Sequence, residues 1–339
     1  MIRLNQVYEH AKIILDVTVI VIQFVFEIIY SLIKKVIRDK PKDISGEIVL
    51  ITGTAHGIGK ELALQYTAQG CEVICVDINE ENNDKVVEEA NSLRMGTAYG
   101  YKCDVRNREE LKKLSDQIIS DVGHVSVVVN NAGVMPSHPL LRHTENEIRQ
   151  VFEVNVFANF WILESFLPHL LSKGRGHVIA ISSMAGLCGL NNLVPYCATK
   201  FAVRGLMEGL TEEIRLTQNS SVCADSLRVE EAAIPTDVHK PNKKEVQDIQ
   251  GSSIKTTVIY PFVVDTGLCK QPKTRFPSLL GIVPAKSAAA AIIDAHRRNL
   301  KEISIPSYLL ALHNIFRCLP INCGYLFRDF VDAGVESDL

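Results

Sequence analysis

The chain has 339 residues, and its 36 lysines and arginines against 39 acidic residues leave a formal net charge of −3. This near-neutral balance argues against nucleic acids or other polyanions as partners. A chain of this length can bury one large core, and 47 % apolar residues suits a globular protein that also carries a membrane segment.

The first predicted element is an apolar stretch from Ile13 to Ile33, close to the roughly 20 residues that cross a membrane as a helix. It has no small-residue cleavage site after it, so it is not a cleavable signal peptide. At about 100° per residue, its polar residues share one narrow side of a helix. They are Asp16, Gln23, Glu27, Ser31 and Lys34. This stripe favours a helix lying in the membrane interface or inserted as a hairpin, with a full span and a buried soluble helix as alternatives.

A basic flank follows the apolar stretch. Its residues are Lys34, Lys35, Arg38, Lys40 and Lys42. Positive charge beside a membrane segment stays on the cytoplasmic side, so we expect the rest of the chain to face the cytosol. We therefore take residues 1–42 as a membrane anchor, 43–310 as a folded domain and 311–339 as a tail that could also contact the membrane.

From Gly46 onward, short apolar runs alternate with longer amphipathic stretches, which indicates βαβ units and a parallel sheet. The predicted strands are Ile48–Thr52, Glu72–Asp77, Thr97–Lys102, Val125–Asn130, His177–Ser182, Lys255–Tyr260 and Glu302–Pro306. The predicted helices begin near Gly59, Glu80, Arg108, Glu145, Tyr196 and Lys286. The sequence thus predicts an α/β fold: a doubly wound parallel sheet of about seven strands with helices on both faces, preceded by the apolar helix.

One polar, charge-mixed stretch, Thr217–Ser253, interrupts this alternation. Links from a helix to a strand are commonly about 2–6 residues long, so this stretch is interpreted as a surface insertion. It enters the sheet at the amino end of a strand, whereas ligands of open α/β sheets bind beyond the carboxyl ends. We expect the insertion to lie away from the functional site.

A glycine-rich turn joins the first predicted strand to the first helix of the domain, in the order Gly53, Gly57, Gly59. In this setting the first glycine permits a tight turn, the second a close approach to a pyrophosphate, and the third close packing of helix on strand. The amino terminus of the helix offers free N–H groups to phosphate. The turn therefore predicts a dinucleotide site.

Asp77 ends the second predicted strand, about 20 residues after the glycines, where a carboxylate can bind ribose hydroxyls and repel a 2′-phosphate. His56 and Ile78 stand where an NADP enzyme would usually carry a permanent positive charge. The sequence favours NAD, with a turn-capping role for Asp77 as the alternative.

Tyr196 and Lys200 lie four residues apart and so on one face of a helix. A free phenol titrates near pH 10, and a nearby ammonium group would stabilise the phenolate and make it a better base. Ser183, thirteen residues before Tyr196, follows a predicted buried strand, where its hydroxyl could hold a reacting oxygen. These three residues are candidates for acid–base chemistry on an alcohol or carbonyl.

These motifs occur in an order that resembles the short-chain dehydrogenase/reductases over roughly Gly46–Pro306. The motifs are Thr52-Gly53-x3-Gly57-x-Gly59, Cys103-Asp104-Val105, Asn130-Asn131-Ala132-Gly133, Asn155, Ser183, Tyr196-x3-Lys200 and Tyr260-Pro261-x3-Asp265-Thr266-Gly267. The resemblance implies a Rossmann-type domain that transfers hydride between NAD(H) and an alcohol carbon. Phe262 stands after Pro261 where many members have glycine, which affects the expected loop shape beside the nicotinamide.

The resemblance also implies a role for each matching residue. Tyr196 would be the general acid and base, and Ser183 would orient the substrate oxygen. Lys200 would bind the nicotinamide ribose and tune Tyr196, and Asn155 would hold a proton-relay water. Asp104 would contact adenine, Asn131 would brace the central strand, and Thr266 would contact the carboxamide. The implied cofactor-binding set is Gly53, His56, Gly57, Ile58, Gly59, Asp77, Asp104, Val105, Asn131, Ala132, Gly133, Tyr196, Lys200, Pro261, Val264 and Thr266.

Further segments resemble one branch of this family, the 17-beta-hydroxysteroid and epidermal-type retinol dehydrogenases. The matching segments are Glu47–Gly53, Val127–Gly133, Phe152–Val156, Pro195–Phe201 and Ile305–Tyr308. This branch implies an enzyme of the endoplasmic reticulum membrane or the lipid droplet that oxidises retinol or a hydroxysteroid with NAD. We expect the region 268–284 to form the substrate lid through Leu268, Phe276, Leu279, Leu280 and Ile282, with ordinary packing of these side chains against the core as the alternative.

Other readings remain open from the sequence. A lipid-droplet or membrane scaffold that retains the fold is the alternative to an enzyme, although the set of Asn155, Ser183, Tyr196 and Lys200 argues against it. The histidines have no metal-ligand spacing and the nine cysteines are scattered, so we expect free thiols and no metal site. A homodimer is expected through the helices beginning near Arg108 and Tyr196.

Overall fold

The computed structural model of the protein describes residues 2–36, 40–219 and 253–338. The chain forms two compact units, Met1–Lys42 and Asp43–Leu339. Residues 311–338, which the sequence analysis set apart as a tail, belong to the second unit. Most of the expected insertion, residues 220–252, lies outside the described residues.

The first unit is one helix, α1, from Ile2 to Val36. Within it, Lys12–Tyr30 is a window of 19 residues with a mean hydropathy of 2.3 and no buried residue. Among the described residues, it is the one helix long and apolar enough to cross a membrane.

The second unit is built on a parallel sheet of seven strands. In chain order these are β1 (Ile48–Thr52), β2 (Glu72–Asp77), β3 (Thr97–Lys102), β4 (Val127–Asn130), β5 (Arg175–Ile181), β6 (Ser253–Pro261) and β10 (Glu302–Ile305). Their order across the sheet is β3-β2-β1-β4-β5-β6-β10. The order reverses between β1 and β4, and a crevice at such a point is where open α/β sheets bind ligands. The seven predicted strands are confirmed, with small changes at their ends.

Helices cover both faces of this sheet. They are α2 (Gly57–Thr67), α3 (Glu80–Ser92), α4 (Arg108–Asp121), α5 (Glu145–Phe152), α6 (Ala158–Ser172), α7 (Val194–Asn219) and α8 (Ala285–Arg297). Along β1, Leu50 joins one buried cluster, whereas Val49 and Ile51 join the other. Because neighbouring strand residues point to opposite faces, the two clusters are the two cores of a doubly wound sheet. The predicted fold class is confirmed.

The helical segment predicted to begin near Glu145 consists of two α-helices, α5 and α6, joined by a π-helical turn. Thr144 caps it in a capping box with Glu147, and a π-helical turn, Glu153–Phe157, then connects α5 to α6. The π-helical turn carries Asn155, which is buried. Such turns widen the helix locally and are frequent at functional sites.

Shorter elements complete the unit after β6. Two small strand pairs form, β7 (Val264–Asp265) with β9 (Val283–Pro284), and β8 (Pro272–Lys273) with β11 (Gly334–Val335). Two helices, α9 (Tyr308–Arg317) and α10 (Ile321–Val331), lie in the chain between β10 and β11. The aromatic rings of Phe316 and Phe327 lie 4.4 Å apart, so the two helices pack together.

Candidate active site

A cavity of about 330 Å³ lies at the carboxyl edge of the sheet, beyond β1, β2, β4, β5 and β6. Most of the residues that the sequence singled out line it. These are Gly53, His56, Gly57, Ile58, Asp77, Asp104, Val105, Asn131, Ala132, Gly133, Ser183, Tyr196, Lys200, Pro261, Val264 and Thr266. Gly59 and Asn155 are not among the lining residues; they lie behind residues that line the cavity.

The glycine turn leaves no room for side chains. A Cβ added at Gly59 would lie 2.0 Å from the carbonyl oxygen of Gly53, so only glycine lets α2 start this close to β1. Gly57 has φ +61, and its added Cβ would lie 2.9 Å from the Cβ of Thr266. The first turn of α2 therefore presents bare backbone to the cavity, which suits the pyrophosphate of a dinucleotide.

Asp77 sits at the end of β2 with both carboxylate oxygens held by backbone. Oδ2 accepts from the amide of Ala55 at 2.9 Å, and Oδ1 accepts from that of Asn79 at 2.8 Å. Each oxygen keeps a further acceptor position, so the carboxylate can also receive ribose hydroxyls. The neighbouring Ile78 is 58 % exposed. The turn-capping role and a ribose-binding role are thus compatible.

A cation beside the nucleotide end of the cavity is already paired. Arg106 lines the cavity and donates to the carboxylate of Asp104 at 2.6 Å. This hydrogen bond lowers the pKa of Asp104. Arg106 could not be recognised from the sequence, because a basic residue two positions after an aspartate has no distinctive spacing.

Asn131 ties β4 to the glycine turn. Its side-chain amide donates to the carbonyls of Thr52 at 2.8 Å and Gly53 at 3.1 Å. The hydroxyl of Thr52 accepts in return from the backbone amides of Asn131 and Ala132, both at 3.1 Å. These bonds fix the two strands on either side of the crevice at the level of the cavity.

Tyr196 and Lys200 lie one turn apart on α7, facing Ser183 at the end of β5. Their exposed fractions are 6 %, 5 % and 8 %. Lys200 Nζ lies 5.5 Å from the centroid of the Tyr196 ring and donates to the carbonyl of Ile181 at 2.9 Å. The Ser183 hydroxyl lies beside the Tyr196 phenol and acts to lower its pKa. The structure thus brings together the three residues expected to do acid–base chemistry.

Burial has the largest effect on the pKa values of Tyr196 and Lys200. Desolvation raises the pKa of the Tyr196 phenol, and the Ser183 hydroxyl opposes that rise. Desolvation also lowers the pKa of Lys200 to about 8. In the protein alone, therefore, the phenol stays protonated, and its use as a base requires additional positive charge in the cavity.

Asn155 braces the cavity wall from the π-helical turn. Its side-chain oxygen accepts from the amide of Val134 at 2.9 Å, and its side-chain nitrogen donates to the carbonyl of Val134 at 2.9 Å and to the hydroxyl of Thr199 at 3.1 Å. Val134 follows Gly133 in the lining, and Thr199 precedes Lys200. Asn155 thereby connects β4 to α7 beside the acid–base group.

Only some of the residues at the apolar end of the cavity were predicted from the sequence. It is lined by Met135, Leu190, Leu193, Leu268, Cys269 and Val335. Of the five apolar residues expected in the lid, only Leu268 lines the cavity: Leu280 is buried, Leu279 and Ile282 are exposed, and Phe276 packs on Phe330 at 5.2 Å. Leu190 and Leu193 lie between Ser183 and Tyr196, a position that could have indicated them. Nothing in the sequence marks Val335.

Comparisons with solved structures support the fold. A short-chain dehydrogenase/reductase from Burkholderia phymatum, solved in complex with NAD, superposes with a TM-score of 0.64 at 21 % identity, covering 80 % of this chain and 93 % of that one. A metagenomic short-chain oxidoreductase in complex with NADP superposes with a TM-score of 0.57 at 21 % identity, covering 78 % of this chain and 98 % of that one.

Comparisons of sequence reach further. The family model for short chain dehydrogenase matches residues 47–227. Short-chain dehydrogenase/reductase family 16C member 6 of Bos taurus is 33 % identical, over 84 % of this chain and 80 % of that protein. Epidermal retinol dehydrogenase 2 of Mus musculus is 33 % identical over 90 % and 88 %, and 17-beta-hydroxysteroid dehydrogenase 13 of Homo sapiens 32 % identical over 96 % and 97 %. This chain therefore belongs to the short-chain dehydrogenase/reductase family and is an oxidoreductase of that family.

Proposed function

We propose that the protein oxidises a lipophilic alcohol of the retinol or 17-beta-hydroxysteroid type with NAD. The observation that carries this proposal is the position of Ser183, Tyr196 and Lys200 between a nucleotide cradle and an apolar end within one cavity. The names of the similar proteins, a retinol dehydrogenase and a hydroxysteroid dehydrogenase, support the substrate class.

Each residue of the group has a definite task in this reaction. Bound NAD supplies the hydride acceptor and a positively charged nicotinamide ring. Ser183 donates to the alcohol oxygen, and Tyr196 as phenolate takes the hydroxyl proton while the carbon gives up hydride. Lys200, charged below its pKa of about 8, favours the phenolate and donates to the nicotinamide ribose. Asn155 holds Val134 and Thr199 in place beside this group, and the family resemblance assigns to it a water that would pass the proton onward.

The choice of NAD rests on Asp77. Its carboxylate is fixed at the edge of the cavity by the amides of Ala55 and Asn79. A 2′-phosphate there would meet the negative charge of Asp77, and Arg106, the described cation that lines this part of the cavity, is bound to Asp104. Oxidation is the favoured direction, because cytosolic NAD is largely in its oxidised form.

An apolar substrate also accounts for the helix α1. A lipophilic alcohol is concentrated in membranes, and α1 carries a wholly exposed apolar window. We infer that α1 lies in the interface of the endoplasmic reticulum membrane or lipid droplet, with the domain facing the cytosol. Large apolar side chains are also exposed on α9 and α10, and they include Ile315, Ile321, Leu326 and Phe330. We infer that these helices form a second membrane contact.

The proposal includes a homodimer, whose contact surface differs from the one expected from the sequence. The apolar residues of α4, among them Leu111 and Ile118, are buried in the core and cannot serve a dimer. Phe157, Phe160 and Phe201 are between 41 % and 48 % exposed on the π-helical turn, α6 and α7. We therefore expect the dimer contact on those elements.

The deciding experiment is a screen of NAD reduction by the full chain in liposomes, followed at 340 nm, over retinol, hydroxysteroid and long-chain alcohol panels. We expect turnover with at least one lipophilic class and faster turnover with NAD than with NADP. A protein that binds NADH but oxidises no alcohol would favour the scaffold alternative.

A further inference from the structure

Residues Gly334–Asp338, here called the strap, cross the apolar end of the cavity. On one side they pair with the segment after β7: Gly334 and Val335 lie opposite Lys273 and Pro272, and the amide of Glu336 donates to the carbonyl of Gln271 at 3.0 Å. Gly334 and Val335 line the cavity.

On the other side the strap is bound to the segment after β4. The amide of Asp338 donates to the carbonyl of Ser137 at 2.9 Å, and the Ser137 hydroxyl donates to the carbonyl of Glu336 at 3.3 Å. Asn192, just before α7, donates from its side chain to the carbonyl of Val335 at 3.0 Å. The strap therefore joins separate walls of the cavity.

The shortest polar contact of the strap is at His138, which is 5 % exposed and forms an ion pair when it is protonated. Its Nδ1 lies 2.6 Å from Oδ1 of Asp338, and its Nε2 lies 3.0 Å from Oε1 of Glu147 on α5. A neutral imidazole has a single N–H and can donate to only one carboxylate, whereas the imidazolium ion donates to both. The charged form of His138 is thus the one that holds the strap to α5.

The remaining charges around His138 fit this assignment. Burial opposes its protonation, but the hydrogen bonds to Glu147 and Asp338 prevail, so the pKa of His138 is raised. Lys270 Nζ lies 3.6 Å from the other oxygen of Asp338, and the ring of His143 is tilted against that of His138, with the ring centroids 4.4 Å apart. Potential metal-ligand atoms of His138, His143 and Glu147 lie within 4.8 Å of one another, and a metal ion there would compete with the proton that pairs His138 with Asp338.

Val335 is the residue that the strap brings to the site. It packs against the small buried cluster that contains Leu193, Tyr196 and Cys197. A substrate whose hydroxyl reaches Tyr196 must place its neighbouring carbons in this part of the cavity. The size of the side chain at position 335 therefore limits what fits.

We propose that Val335 is a specificity-determining residue of the substrate cavity and that His138, by binding Asp338, is the positioning residue that holds the strap closed. This inference rests on the proposed oxidation of a lipophilic alcohol. The histidine pKa is raised, so the tie is complete below the ordinary pKa of 6.5 and is lost as the pH rises through the raised value.

The first experiment compares Val335→Ala, Val335→Phe and, as a control, Leu93→Phe, whose side chain is 43 % exposed at the end of α3. For a ring-bearing alcohol we expect Val335→Phe to lower kcat/KM about tenfold or more, and Val335→Ala to raise it for bulkier alcohols. A short-chain alcohol and the affinity for NADH should be unchanged. Equal kcat/KM ratios of bulky to short alcohol in all proteins would overturn the assignment of Val335, whereas no turnover in the wild type would instead refute the proposed function.

The second experiment tests the tie itself, without turnover, by hydrogen exchange of the Glu336 and Asp338 amides. Protection should fall as the pH rises in the wild type. In His138→Gln it should be lower about tenfold or more at acidic pH and should no longer depend on pH, since a charge-assisted hydrogen bond is lost. His124→Gln is the control, because the ring of His124 lies against His169 of α6. Unchanged protection in His138→Gln, or an equal loss in His124→Gln, would overturn the tie.

Discussion

Replacing Lys200 with methionine should stabilise the protein at neutral pH while abolishing its activity. Burial lowers the pKa of this lysine from 10.5 to about 8, so the fold disfavours the charged form. Each unit of pKa difference corresponds to about 1.4 kcal/mol, which makes the cost about 3 kcal/mol wherever both the folded and the unfolded chain are protonated. The cost is complete below pH 8, shrinks as the pH rises towards 10.5 and vanishes above it.

Methionine also removes the hydrogen bond from Lys200 to the carbonyl of Ile181, and the unpaired carbonyl offsets about 1–3 kcal/mol of the gain at every pH. The pH dependence of the difference is therefore the diagnostic quantity. Urea unfolding of wild type and Lys200→Met at pH 7 and pH 10 measures it, with the exposed Lys113→Met on α4 as control. We expect the difference in unfolding free energy to fall by about 2–3 kcal/mol between the two pH values. A difference that stays constant would refute the reasoning.

Four further changes test the proposal. Tyr196→Phe should lower turnover about 10²–10⁴-fold while NADH binding, followed by fluorescence, stays normal; retention of a tenth of the turnover would exclude the phenol as the base. Asp77→Ala combined with Ile78→Arg should shift the ratio of kcat/KM towards NADP, and an unchanged ratio would remove the ribose-binding role. Replacing residues 220–252 by a short glycine–serine link should leave turnover within a few-fold, and a collapse of NADH affinity would place this segment near the site. A tag before Arg3 should be digested by protease outside intact microsomes, whereas its protection would establish a full span.

The sequence was sufficient for the sheet because each strand is a short, nearly continuous run of apolar residues between turn residues. Val127–Asn130 is an example: β4 is buried along its whole length and could be recognised without its neighbours. The glycine-rich turn could also be predicted, since Gly59 is required by its close approach to Gly53 within one βα unit and Gly57 by its positive φ of +61. These features depend on residues close in sequence.

What the sequence could not predict depends on distant residues. His138 and Asp338 are 200 residues apart, and no local pattern connects them. Val335 reaches the cavity only because β11 pairs with β8, two strands too short to leave a periodic signal. The prediction of which apolar residues of the lid line the cavity was wrong for the same reason. Apolar side chains such as Leu280 can face either the core or the cavity, and the composition of the segment does not tell which.

The pairing of β1 with β4 also has a consequence for the order of folding. The bond between the hydroxyl of Ser126 and the carbonyl of Ile48 links residues 78 apart, so this pairing closes a long loop and is expected to be slow. Gly57 follows β1 and Gly133 follows β4, and both residues line the cavity. A chain in which β4 has not yet joined β1 therefore has only half of the proposed nucleotide site. The proposed dinucleotide would bind only the completed sheet, and its concentration would set how strongly the assembled state is favoured over its precursors.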